Sequence, residues 1–316
     1  MTTGITTESD RARPLKVGLL LPESEGQMNG ATARWSDLHE MAQLGEQIGA
    51  DSLWVTDHLI HRNPGEEPQG MWECWSLISA LAAVTEKPEI GTLVLCTGFR
   101  NPTLLAKMAD TVEEISGGRL ILGIGAGWNK PEYDAFGYPF DHRTDRFAEA
   151  IAIITGLLRD GHIDFQGEYY EARDCELRPR GPRPNGPPIL VGASNAGPRM
   201  LDLSARYADE WNTWFSSTGN TVEGLLPLLE KVDAACDAAG RDPKSLARSA
   251  AVIVEVGPHE PSTMSAPLLT GSPADIAAAL RAHATAGLSS VQVWLEPNTP
   301  VGIEAFAPVL EELDRG

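Results

Sequence analysis

The sequence predicts an α/β protein folded as a single (β/α)8 barrel of the TIM type. Short apolar runs alternate with amphipathic helical stretches eight times along 316 residues, the pattern that builds parallel strands joined by crossover helices. No break in composition interrupts that alternation. Strands that end in glycines or polar residues run straight into loops, which gathers those ends on one rim, where barrels bind ligands. A doubly wound sheet is the alternative, but nothing in the chain marks where its winding would reverse.

Residues 1–14 are polar and are expected to form a disordered N-terminal tail, with the barrel occupying 15–316. Residues 16–22, Lys-Val-Gly-Leu-Leu-Leu-Pro, are an apolar run closed by proline and form the first strand. Ser36 or Asp37 is placed to cap a helix carrying Leu38, Met41, Leu44 and Ile48 on one stripe, ended by Gly49. Residues 51–58, Asp-Ser-Leu-Trp-Val-Thr-Asp-His, are strand two. A loop rich in Gly, Pro and Glu (63–70) leads to helix two, 72–86. Leu93, Val94 and Leu95 form a buried third strand that stops at Cys-Thr-Gly-Phe-Arg-Asn. Pro102 opens helix three, and residues 119–128 return as a fourth strand ending in glycines, completing one parallel βαβ unit. A long aromatic-rich loop (Tyr133, Phe136, Tyr138, Phe140) precedes helix four, 144–159. Residues 164–171 read as a small hairpin, and the Arg/Pro run 178–188 as an extended connector. Strands five to eight follow at 188–194, 209–214, 250–255 and 289–295. Helices five, six and eight fall at 197–207, 221–239 and 302–313. Ser272-Pro-Ala-Asp275 is a capping box with proline at the first helical position, opening helix seven.

The net charge of −19 argues against nucleic acid and anionic membrane surfaces as partners. It leaves room for an anionic small molecule met by a local cluster of donors. Cys74, Cys96, Cys175 and Cys236 lack paired spacing and read as reduced thiols, so neither a disulfide frame nor a metal site is expected. No run is long enough to cross a membrane. The expected protein is soluble and cytoplasmic.

Several residues point to chemistry. Asp57 and His58 stand where strand two meets its loop, and a histidine there can move protons near neutral pH; alternatively, Asp57 caps the next turn and His58 packs. His61 is a helical-spacing partner of His58, but no further ligands accompany it. Gly123-Ile-Gly-Ala-Gly127 has the wrong spacing for a dinucleotide fingerprint and suggests instead close backbone approach by something flat. Gly192-Ala-Ser-Asn-Ala-Gly197 places small residues at a helix N-terminus, an arrangement that suits a phosphate, although an ordinary N-cap by Ser194 or Asn195 explains it too. Trp128, at the end of strand four, is the tryptophan expected to lie over a substrate.

The chain resembles the bacterial luciferase-like flavin and deazaflavin oxidoreductases over nearly its whole length. The segments that carry the resemblance are 50–58, 91–94, Arg100-Asn-Pro-Thr-Leu-Leu-Ala-Lys107, 115–128, Phe136-Gly-Tyr-Pro139 and 188–194. The resemblance implies an oxidoreductase barrel binding FMN or the deazaflavin coenzyme F420 at its mouth. Carried over by position, His58 falls on the active-site histidine, with Asp57 beside the cofactor ring. Leu93–Val94 falls on a non-prolyl cis peptide behind the ring, Cys96 and Gly125 on ring-lining positions, and Arg143 on a cofactor contact. Gly192, Ala193 and Ser194 fall on the phosphate loop, with Arg143 or Arg199 nearby. Trp128 stands where the sugar-phosphate dehydrogenase branch has a catalytic glutamate, which puts sugar-phosphate oxidation in doubt. The expected activity is F420-dependent hydride transfer to or from a small organic substrate. The alternative is an FMN-dependent two-component monooxygenase supplied by a separate reductase, and a cofactor-binding protein without turnover is a third reading. A homodimer is expected.

Overall fold

The computed structural model describes residues 13–62, 65, 67–194, 196–257 and 266–315. Most of the expected N-terminal tail, residues 1–12, and Asn195 lie outside the described residues. Arg13 is anchored, pairing with Asp51 at 3.0 Å and Asp314 at 2.7 Å.

Eight parallel strands close into a barrel: β1 (Lys16–Leu20), β2 (Ser52–Val55), β3 (Glu89–Thr92), β4 (Leu120–Gly125), β5 (Ile189–Gly192), β6 (Glu210–Thr213), β7 (Ala247–Glu255) and β8 (Ser290–Glu296). The β4–β5 pairing, with Leu122 opposite Ile189, and the β8–β1 pairing, with Val17 opposite Val291, complete the ring. Helices α1 (Trp35–Gln47), α2 (Cys74–Val84), α3 (Pro102–Ser116), α4 (Arg143–Asp160), α5 (Pro198–Tyr207), α6 (Val222–Ala238), α7 (Pro273–Thr285) and α8 (Pro300–Asp314) cover the outside. Burial of the strands on both faces explains why β4 reads Leu-Ile-Leu-Gly-Ile-Gly without alternation. Among the described residues, no helix is long and apolar enough to cross a membrane.

The barrel interior is filled largely by Trp54, packed with Leu20, Leu93, Ile121, Leu190, Phe215, Ala251 and Ile253. A Cβ on either Gly18 or Gly91 would fall on the Trp54 indole, so these glycines are the hollows that admit it. A buried polar layer joins the same interior: Asn212 Nδ2 donates to Ser249 Oγ (3.0 Å) and Gln292 Oε1 (2.9 Å).

The structure departs from the sequence reading in several places, the hairpin read at 164–171 among them, which pairs His162–Gln166 with Glu171–Glu176. Helix α1 starts earlier, capped by Arg34, because Asp37 sits at its third position and accepts from the Arg34 amide (2.7 Å). The third strand is centred on residues 89–92, not 93–95. It resumes at Leu95–Cys96 after slipping by one residue against β4: Ile90 faces Leu120, while Leu95 faces Ile124. The aromatic loop contains a short helix, Lys130–Phe136, closed by Gly137 in the left-handed conformation. Finally, the loop after β2 holds a two-stranded hairpin, Ile60–His61 against Gln69–Gly70. The resumed strand, the short helix and the 60–70 hairpin are too short for their periodicity to register. By contrast, the capping box at Ser272 and Asp275 stands as read.

Candidate active site at the C-terminal mouth of the barrel

Asp57 and His58 leave β2 for different partners. Asp57 is buried, and its carboxylate accepts from the Cys96 amide (2.8 Å) and from both terminal nitrogens of Arg100 (2.6 and 3.0 Å). Arg100 also reaches Glu73 (2.6 Å), whose carboxylate caps α2 by accepting from the amides of Trp75 and Ser76. Asp57 therefore ties the ends of β2 and the slipped third strand to the start of α2. Its oxygens hold the scaffold at the position that the resemblance sets beside a cofactor ring.

His58 turns toward the short helix that follows β4. Its Nδ1 lies 3.0 Å from Glu132 Oε1, and Glu132 Oε2 also accepts from the Leu59 amide (2.9 Å). Glu132 is 1 % exposed. A carboxylate only accepts, so Nδ1 carries a proton and Nε2 is the face left for chemistry. Sequence reasoning missed Glu132 because it lies 74 positions from His58 in a stretch read as loop. The available signal was an acidic first-turn residue beside Pro131 with Gly137 as helix stop.

Two rings frame the pair. His61 meets His58 edge-on at 4.5 Å between centroids, and Trp128 does so at 5.5 Å. Burial, and then the neighbouring His58, lowers the pKa of His61 to about 4, so it is neutral at physiological pH. Trp128 is 65 % exposed, free to cover a ligand. On the far side, Trp214, Phe215 and Trp294 form an aromatic wall, with Trp214 and Phe215 centroids 4.7 Å apart.

The Leu93–Val94 peptide is cis, as the resemblance implied. The Val94 side chain fills the space beside the glycines: a Cβ on Gly125 would come within 2.9 Å of it, and one on Gly192 within 2.8 Å. Close approach at these glycines is thus made by Val94, not by backbone open to solvent. Cys96 Sγ lies 2.8 Å from Tyr133 OH, and burial pushes its thiol up to about 12. It is a neutral thiol.

At the second candidate loop, α5 begins at Pro198 with Gly197 as its cap and no side-chain cap bond. Ser194 does not play that part; its carbonyl accepts from Thr213 Oγ1 at 3.4 Å. The nearby cations are both engaged. Arg143 donates to the Gly127 carbonyl (2.7 Å) and lies over the Phe140 ring, and Arg199 pairs with Asp145 (2.6 Å). Among the described residues, no group of three or more His, Cys, Asp or Glu is placed to hold a metal ion.

Substitution at Glu132 separates orientation from charge. Glu132→Gln keeps an acceptor for Nδ1, whereas Glu132→Leu keeps none. Turnover should fall in the order wild type, Gln, Leu, with a loss for Leu on the order of 10–100-fold, the scale for removing a group that orients a functional histidine. Equal kcat in all three would dissociate Glu132 from function.

The chain is similar to known proteins in two ways. It is 36% identical over 179 residues to the pyrimidine monooxygenase RutA of Cronobacter sakazakii, covering 54% of this chain and 50% of that protein. It is 35% identical over 178 residues to RutA of Stutzerimonas stutzeri, covering 54% and 47%. The chain thus spans about half the length of the curated relatives it matches. In fold it is similar to an F420-dependent secondary alcohol dehydrogenase, with TM-score 0.78 at 19% identity over 95% of this chain and 99% of that one. The oxygenating constituent of 3,6-diketocamphane monooxygenase from Pseudomonas putida aligns with TM-score 0.71 at 17% identity, over 95% and 98%. The profile of the luciferase-like monooxygenases matches residues 15–266. The chain belongs to the luciferase-like monooxygenase family.

Proposed function

We propose that the protein is an FMN-dependent monooxygenase that receives reduced flavin from a separate reductase and oxygenates a small organic molecule at the barrel mouth. The observation that carries this reading is the pair of His58 with the buried Glu132, edged by the His61 and Trp128 rings. The curated relatives are monooxygenases by name, which favours flavin over the deazaflavin that the sequence segments put first. F420-dependent hydride transfer is the second reading, supported by the Asp57-His58 and 123–128 segments.

The mouth fits such a cofactor. The first amides of α5 and the small residues Gly192, Ala193 and Ser194 would hold its phosphate, helped by the helix dipole. Leu93, Val94, Cys96 and Gly125 would line its ring. When bound, FMN supplies the redox chemistry toward oxygen. His58 then moves a proton at Nε2 while Glu132 holds its ring, Trp128 covers the substrate, and Trp214 with Trp294 excludes water.

Titration with FMN and with F420, followed by absorbance, tests the reading, since the two bind with distinct spectra. Oxygen consumption with reduced FMN supports the monooxygenase; tight binding of F420 alone would replace it by the second reading. Ser194→Asp places a carboxylate against the phosphate and should weaken FMN binding roughly tenfold or more, the scale of a charge at a helix terminus plus lost anion contacts. An unchanged Kd would put the phosphate elsewhere.

A further inference from the structure

The Glu132–His58 bond belongs to a closed ring of contacts that returns through one residue of the third strand. Asp57 and His58 are neighbours in the chain, and so are Glu132 and Tyr133. The amide of Cys96 donates to Asp57 (2.8 Å), and its thiol lies 2.8 Å from the Tyr133 hydroxyl. One half of the pair is thus tied to Cys96 through Asp57, and the other through Tyr133. The hydroxyl also donates to the Ala126 carbonyl (3.1 Å), which can only accept. Its one proton is engaged there, so the neutral Cys96 thiol donates to the hydroxyl oxygen. Tyr133 is wholly buried, with the Phe99 and Phe140 ring centroids at 5.0 and 5.2 Å and Leu59 packed on the same cluster. A Cβ on Gly127, at φ +74°, would strike the hydroxyl, so that glycine makes its seat.

We propose that Tyr133 is a positioning residue for the reacting pair, its hydroxyl fixing the short helix against the barrel so that Glu132 stays on His58 Nδ1. The proposal rests on His58 moving the proton, as inferred above. A helix of seven residues has little stability of its own, since isolated helices shorter than about 12–15 residues are marginal in water. Its place is set by its anchors. Asn129, which donates to the Ile60 carbonyl (3.0 Å), and Glu132, which accepts from the Leu59 amide (2.9 Å), join it to the loop after β2. Of these three anchors, Tyr133 is the one that reaches the strand ends themselves, at Cys96 and just past β4. Without the hydroxyl, the helix and its carboxylate can shift from His58 while the aromatic cluster stays packed. A functional side chain keeps its working geometry through packing and outer hydrogen bonds of this kind.

The test follows the His58 Nδ1 proton by NMR in the full-length protein without cofactor, its resonance assigned by its loss in His58→Asn. Tyr133→Phe keeps the ring and removes the hydroxyl. Exchange of that proton with water should quicken roughly tenfold, the scale of the hydrogen bonds lost. The thermal midpoint should fall by only a few degrees. Phe140→Leu takes packing from the same cluster and leaves the hydroxyl in place, so exchange should stay within about threefold of wild type. Cys96→Ala removes one partner of the hydroxyl and should quicken exchange in the same direction, which keeps the test open should Tyr133→Phe fail to fold. Unchanged exchange in Tyr133→Phe, or in Cys96→Ala where the first variant does not fold, overturns the proposal. So does exchange quickened as much by Phe140→Leu as by Tyr133→Phe, or a wild-type His58 proton that exchanges too fast to observe. Normal turnover of His58→Asn would sink the underlying reading separately, since the exchange contrasts are read without turnover or cofactor.

Discussion

Replacing His58 by Asn is expected to slow turnover by about 10²–10⁴-fold, the usual worth of a positioned acid or base, while leaving cofactor affinity nearly unchanged. Asn matches the histidine in polarity and can still donate to Glu132 from its amide, so the loop carrying Leu59 should keep its shape. What it lacks is a group that takes and returns a proton near neutral pH. Single-turnover kinetics with reduced cofactor separate the roles. A normal chemical step with weakened cofactor binding would make His58 a positioning group and reassign the proton transfer.

The second large effect concerns stability. Asp57→Ala should destabilise the fold by about 3–5 kcal/mol, because it leaves Arg100 buried beside an empty site and strips the Cys96 amide of its acceptor. Urea unfolding followed by circular dichroism reads the loss as a lower midpoint. Asp57→Asn, which can still accept from Cys96, should lose less. An Asp57→Ala protein as stable as wild type, yet unable to bind cofactor, would return Asp57 to the ring-contacting role suggested by resemblance.

Much of the barrel was legible in the chain, because eight buried strands and eight amphipathic helices are long enough to show their periods. The mouth was legible only in part. Asp57-His58 announced itself as a polar strand end, but adjacent residues point to different neighbours, and no local pattern says which neighbours those are. Glu132 is brought to His58 by a seven-residue helix whose apolar face is too brief to read. The glycines at 123–127 and 192 each have a close neighbour: the Thr92 carbonyl at Gly123, Val94 at Gly125 and Gly192, and Tyr133 with Cys96 at Gly127. The place of Val94 depends on a one-residue slip in the third strand that no sequence window contains. At the small-residue loop 192–197, Gly197 caps α5 without a side-chain bond, while Asn195, one of the two capping candidates, lies outside the described residues.

The indole of Trp54, seated over Gly18 and Gly91, carries an implication for how such a chain can diverge. Three positions on three neighbouring strands share one volume, so none has a free path of change. A methyl group added at either glycine is tolerated only after the tryptophan has become smaller. A smaller ring placed first opens a void that either methyl would fill. Drift in this part of the molecule is therefore order-dependent, and each permitted step narrows the next.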